Sequence, residues 1–95
     1  LTPDLLAAFD ALPVGGFEAS YEGRRYHVTR QSFSNGKSQK LVAQELGGSD
    51  YISTNVYRLT SGALLKPCEM PEEKVIAFIL GVTPVGTAPR RSSNN

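Results

Sequence analysis

The stretch SQKLVAQELGGSDYISTNVYRL, residues 38–59, limits what this chain can become more than any other. Its second arm crowds β-branched and aromatic residues (Tyr51, Ile52, Thr54, Val56, Tyr57), and Gly47, Gly48, Ser49 and Asp50 before it are residue types that tolerate turn dihedrals. Two strands joined by a short loop follow, which is a hairpin. A loop of residues 47–50 pairs Leu41 with Val56 and Ala43 with Thr54 on one face, and Lys40 with Tyr57 and Gln44 with Ser53 on the other. Neither face is cleanly polar, so the aliphatic set Leu41, Ala43, Ile52 and Val56 is assigned inward. Tyr51, Asn55, Tyr57, Lys40 and Gln44 then point outward, and a loop one residue different in length would exchange the two sets.

The flanking sequence supplies partners for this hairpin. Thr2-Pro3-Asp4 reads as a helix start: a capping hydroxyl, a proline suited to the first helical position and an acid at the positive end of the dipole. Leu5, Leu6, Phe9 and Leu12 then fall on one helical face, and Pro13 ends the run. After the Val14-Gly15-Gly16 joint, Phe17, Ala19 and Tyr21 alternate with Glu18, Ser20 and Glu22, the period of a half-buried strand. Glu22-Gly23 turns the chain into a second strand over 24–30, with Tyr26 and Val28 on one side and Arg25, His27 and Thr29 on the other. Asn35-Gly36 suits positive φ at both central positions of the next turn. Thr60-Ser61-Gly62 leads into a short strand, 63–66, which Pro67 stops and confines to an edge. Pro71-Glu72-Glu73 opens a second helix, whose run VIAFIL (75–80) implies burial on most sides.

The order helix, about five antiparallel strands, helix predicts an α+β domain: a meander with the N-terminal and C-terminal helices on one face, and core residues Leu5, Leu6, Phe9, Leu41, Val56, Val75, Phe78 and Ile79. A chain of 95 residues holds one domain, assigned here to 1–82, and TPVGTAPRRSSNN at 83–95 has the composition of a disordered tail. No apolar run approaches the ~20 residues of a membrane span, so no membrane partner is expected. With Cys68 as its sole cysteine the chain forms no internal disulfide, which makes the cytoplasm the expected compartment. No Cys/His cluster suggests a metal, and no cofactor motif is present.

Charge is where function enters. The formal net charge is +1, yet Arg90 and Arg91 lie in the tail, leaving eight bases against nine acids in residues 1–89. Within that body the interval 23–44 holds Arg24, Arg25, His27, Arg30, Lys37 and Lys40 without one acid. Tyrosines interleave with these bases on the outward face, so Arg25, His27, Lys40, Tyr51, Asn55 and Tyr57 form the candidate binding set. An acidic protein surface ranks above nucleic acid as the partner, because a dedicated nucleic-acid binder carries a distinctly basic body. The other candidates have structural explanations. Glu72 and Glu73 suit the helix dipole, Asp50 and the Gly47-Gly48 pair suit a turn between two strands, and a phosphate loop would need a helix after its glycines.

The run QELGGSDYISTNVYRL at 44–59, followed by LLKPCEMPEEKVIAFILG at 64–81, resembles small bacterial proteins of unassigned function over roughly residues 17–81. The resemblance carries no established active residues. The function expected is a non-enzymatic binding module that uses the basic, tyrosine-bearing sheet face. The alternative is a small thiol-dependent enzyme centred on Cys68, similar to the methionine sulfoxide reductases; the GCFW motif of that family's main class is absent, and Cys68 stands in PCEM.

Overall fold

The computed structural model describes residues 1–85 of the chain. They form α1 (Pro3–Asp10), β1 (Gly15–Tyr21), β2 (Arg24–Phe33), a 3₁₀ turn (Ser34–Gly36), β3 (Ser38–Glu45), β4 (Tyr51–Leu59), β5 (Gly62–Pro67), α2 (Glu72–Gly81) and β6 (Thr83–Pro84). The sheet is antiparallel throughout, in the order β5-β4-β3-β2-β1-β6. This is the expected α+β meander, with both helices packed on the sheet. It gains a sixth strand from the segment read as tail: Thr83 and Pro84 pair with Ser20 and Ala19, and the Val85 N–H donates to Glu18 O at 2.9 Å. The rest of the expected tail, 86–95, lies outside the described residues.

Local chemistry explains the element ends. Thr2 Oγ1 caps α1 by accepting from Leu5 N–H at 3.1 Å, and Pro3 follows at the first helical position. Glu22 and Gly23 both take positive φ (50° and 77°), the primed turn geometry that matches strand twist. Asn35 and Gly36 do so as well, at 57° and 88°. In α2, Pro71 caps the helix from outside, one position earlier than the sequence suggests. Burial of α2 is one-sided: Val75, Phe78 and Ile79 are buried whereas Ala77 and Leu80 face solvent. A single layer of helix has nothing on its far side, so the all-apolar run overstated the contact.

The β3–β4 register also differs from expectation, by two residues. Lys40 faces Asn55 instead of Tyr57, Leu41 faces Thr54, Ala43 faces Ile52 and Gln44 faces Tyr51. The four-residue loop is 46–49 because Asp50 is drawn out of the turn. Its carbonyl accepts from Glu45 N–H at 2.8 Å, its own N–H donates to Glu45 Oε1 at 3.2 Å, and its carboxylate holds Tyr26 Oη at 2.8 Å and Lys74 Nζ at 2.7 Å. A two-residue slip preserves side-chain parity, so the inward set is unchanged.

The core lies between the helices and one face of the sheet. Leu5, Phe9, Leu41, Val56, Val75, Phe78 and Ile79 are buried as expected, and Leu6 is half-buried. Tyr21, Tyr26 and Phe78 meet at centroid distances of 5.0–6.1 Å in tilted and edge-on geometry, which joins α2 to β1 and β2.

Arg30 belongs to this covered face, where basic residues were not expected. The residue is 7% exposed, and its guanidinium donates to Gln39 Oε1 (2.8 Å) and to the carbonyls of Leu12 (2.6 Å) and Phe9 (3.2 Å) while it stacks 4.6 Å from the Phe9 ring centroid. Helix C-termini leave carbonyls without intrahelical donors, and Arg30 donates from the sheet below to carbonyls at the end of α1 and just beyond it. Burial pulls its pKa below the ordinary arginine value; Asp10, 3.7 Å away and also paired with Arg58, works against that shift.

Candidate functional site

With both helices on one side, the sheet leaves its other face open, and strand register arranges that face in rows. One row across it is Glu18, His27, Gln44 and Tyr51; the next is Gly16, Thr29, Val42 and Ser53. Then come Gln31, Lys40, Asn55 and Lys66, and after them Phe33, Ser38, Tyr57 and Leu64. All six candidate residues, Arg25, His27, Lys40, Tyr51, Asn55 and Tyr57, therefore lie on this one face. They do not form one cluster, because the rows spread them along the full length of the strands.

The two ends differ in electrostatics. Toward the β1–β2 turn the basic interval is neutralised by acids from neighbouring strands: Arg25 pairs with Glu18 at 3.3 Å and Arg24 with Glu45 at 3.8 Å. The acid-free stretch in sequence is thus not acid-free in space, and Arg30 is withdrawn from it altogether. Toward the opposite end Lys40 and Lys66 flank Asn55 with no acid within ion-pairing distance among the described residues. Beside them Phe33 (50% exposed), Leu64 (43%) and half-buried Tyr57 make an apolar row, and Leu59 extends it.

Phe33, Leu64 and Lys66 are absent from the sequence-derived set. Phe33 sits in β2, which runs three residues past its expected end at Arg30. In β5 the consecutive leucines 64 and 65 give no parity signal, so only the register with β4 shows Leu65 inward and Leu64 and Lys66 outward.

At the neutralised end an open hollow of about 410 Å³ lies against residues 44–51 and His27. The His27 ring leans over Gly16, where an added Cβ would meet Cε1 at 3.4 Å. Gly48 is packed much more closely by the Glu45 carboxylate, which leaves no room for a Cβ, so the loop glycines serve the approach of a side chain and the turn. Lys74 reaches from α2 to within 5.9 Å of the Tyr51 ring centroid while it binds Asp50. The Lys74 and Tyr26 hydrogen bonds hold the Asp50 carboxyl below its usual pKa, and burial together with the Asp50 contact pushes Tyr26 up to about 12. These groups fasten the loop to α2.

Cys68 is half-buried beyond the end of β5. Its N–H donates to Ser53 O at 3.0 Å, and its sulfur accepts from Asn55 Nδ2 at 3.6 Å. His27 is three strand spacings away, about 14 Å, too far to serve as its base. No group of three or more potential metal ligands occurs among the described residues, and no helix there is long and apolar enough to cross a membrane. Comparison with protein-family models, curated proteins and solved structures found no match.

Proposed function

We propose that this chain is a small non-enzymatic binding module that engages an acidic protein partner through the open face of its sheet. One observation carries the reading: the helices cover a single face, and the other gathers Arg25, His27, Lys40, Tyr51, Asn55 and Tyr57 on a rigid, hydrogen-bonded platform. Cations that share one face and are only partly neutralised there add to its potential at short range, each being screened over roughly 8 Å, and exposed tyrosines supply contact area at low entropic cost. The partner is protein in preference to nucleic acid because residues 1–89 carry a net charge of −1, eight bases against nine acids.

The test is chemical-shift mapping of the labelled protein with polyglutamate and with a single-stranded oligonucleotide as probes. Perturbations confined to the open face by polyglutamate, weakened by added salt and by Arg25→Glu or Lys40→Glu, support the module. Indifference to salt and to both reversals leaves the face a solvated surface and ends the reading. Stronger perturbation by the oligonucleotide reverses the order of partners.

A further inference from the structure

Resting on the reading above, the geometry points to a narrower site and a more specific occupant: an extended acidic segment of another protein, with an apolar side chain two residues from an acid, docked on the Lys40–Lys66 end of the open face. Two adjacent notches define it. In one, Lys40 and Lys66 stand on either side of Asn55, separated by two strand spacings, about 10 Å. A carboxylate seated there meets an ammonium from each side and, from below, the Asn55 amide N–H that is not given to the Cys68 sulfur. In the other, Phe33 and Tyr57 stand on either side of Ser38, whose small side chain leaves the floor low. Leu64 borders Tyr57 on its far side.

The spacing of the notches sets the occupant. Ser38 lies opposite Tyr57, so Asn55 is its diagonal neighbour, at about 7–8 Å. Side chains i and i+2 of an extended chain leave the same face about 6.6–6.8 Å apart. An acid and an apolar residue at that separation enter both notches at once. A helix would offer its same-face neighbours at i+3 and i+4, a different interval.

Charge complementarity decides between occupants. Lys40 and Lys66 have no acidic partner among the described residues, whereas Arg25 at the other end is already paired with Glu18. An anion therefore gains two uncompensated cations here and has to compete with a carboxylate there. The exposed apolar row accounts for the second requirement, since phosphate or polyglutamate would leave Phe33 and Leu64 uncovered.

The experiment titrates the labelled full chain with a capped octapeptide, Thr-Glu-Thr-Phe-Thr-Glu-Thr-Phe. Its Glu-to-Lys and Phe-to-Ser versions and an oligothymidylate serve as comparisons. The expected result is perturbation centred on Lys40, Asn55, Tyr57, Leu64 and Lys66, lost with the lysine peptide and weakened with the serine peptide. Lys40→Glu and Lys66→Glu each weaken binding about three- to tenfold, whereas Arg25→Glu changes it less than about twofold. Each variant's own amide spectrum shows that it is folded. Perturbation centred on Arg25, His27 and Tyr51 overturns the placement and leaves the binding-module reading standing. Equal binding of the serine peptide overturns the apolar notch, and preference for the oligothymidylate overturns the partner class. Concentration-dependent shifts without any probe assign the face to a second copy of the chain, and no shift on the face with any probe ends both readings.

Discussion

Replacing Arg30 with alanine tests whether this arginine holds α1 to the sheet. The substitution strips donors from two well-placed acceptors, Gln39 Oε1 at 2.8 Å and Leu12 O at 2.6 Å, in a site that is 7% exposed. Each buried acceptor left without a donor costs about 1–3 kcal/mol. Loss of the guanidinium over Phe9 adds about 0.5–2 kcal/mol, and water entering the vacated space offsets part of the total. A net loss of about 3–5 kcal/mol follows, a large share of the roughly 5–15 kcal/mol that stabilises a domain of this kind. Arg30→Lys keeps the charge but has no planar fork to span Gln39 and the helix carbonyls, so it recovers only about half. The assay is urea unfolding followed by far-UV circular dichroism, with the midpoint shift read at constant slope. A loss below about 1 kcal/mol for alanine, or lysine matching arginine, would refute the reasoning and return Arg30 to the class of ordinary surface bases.

The remaining expectations concern the core, the loop and the thiol. Phe78→Ala removes a ring with no exposed surface from the Tyr21–Tyr26–Phe78 cluster and costs about 3–5 kcal/mol by the same unfolding assay. The depressed Asp50 carboxyl contributes stability that is present above its unfolded value near 3.9 and lost as pH falls through the folded one; the raised Tyr26 hydroxyl contributes stability present below about pH 10 and lost toward about pH 12. Asp50→Asn therefore flattens the acid limb of a stability-versus-pH curve and Tyr26→Phe the alkaline limb, and unchanged limbs would dismiss the pairing. Gly48→Ala drives the Glu45 carboxylate from its place and costs about 1 kcal/mol, an effect that disappears when Glu45 is alanine already. Cys68→Ser leaves the fold within about 1 kcal/mol, and iodoacetamide labels the native thiol more slowly than the unfolded one.

Local signals were legible because they depend on neighbouring residues. Thr2-Pro3 at the helix start, Glu22-Gly23 and Asn35-Gly36 at the turns, and the alternation of Tyr26 and Val28 with Arg25 and His27 each sit where their chemistry places them. The misses involve partners distant in sequence. Asp50 has the composition of a turn residue, yet Tyr26 and Lys74, each 24 residues away along the chain, pull it into the ladder and slide the register. Arg30 lies one position from outward-facing Thr29 and Gln31, and its inward parity was visible in the alternation. The carbonyls at and just past the end of α1, together with Gln39 Oε1, explain how a charge can occupy that position. On the open face the candidate residues were found by type and parity. The grouping of Lys66 with Lys40, and the neutralisation of Arg25 and Arg24, depend on which strands are adjacent, and charge counted along the chain cannot supply that.

The path from β5 through α2 to β6 also governs how the molecule comes into being. Every adjacent pair in β1 to β5 is joined by a short turn, so these contacts close early and cheaply, in the order in which the ribosome delivers them. Helix α2 is made only after all five strands, and with it arrives Phe78, the ring that covers Tyr21 and Tyr26. During translation the inward side chains of the sheet, Tyr26 among them, thus emerge before the helix that completes their cover, and apolar surface left open in that interval favours association.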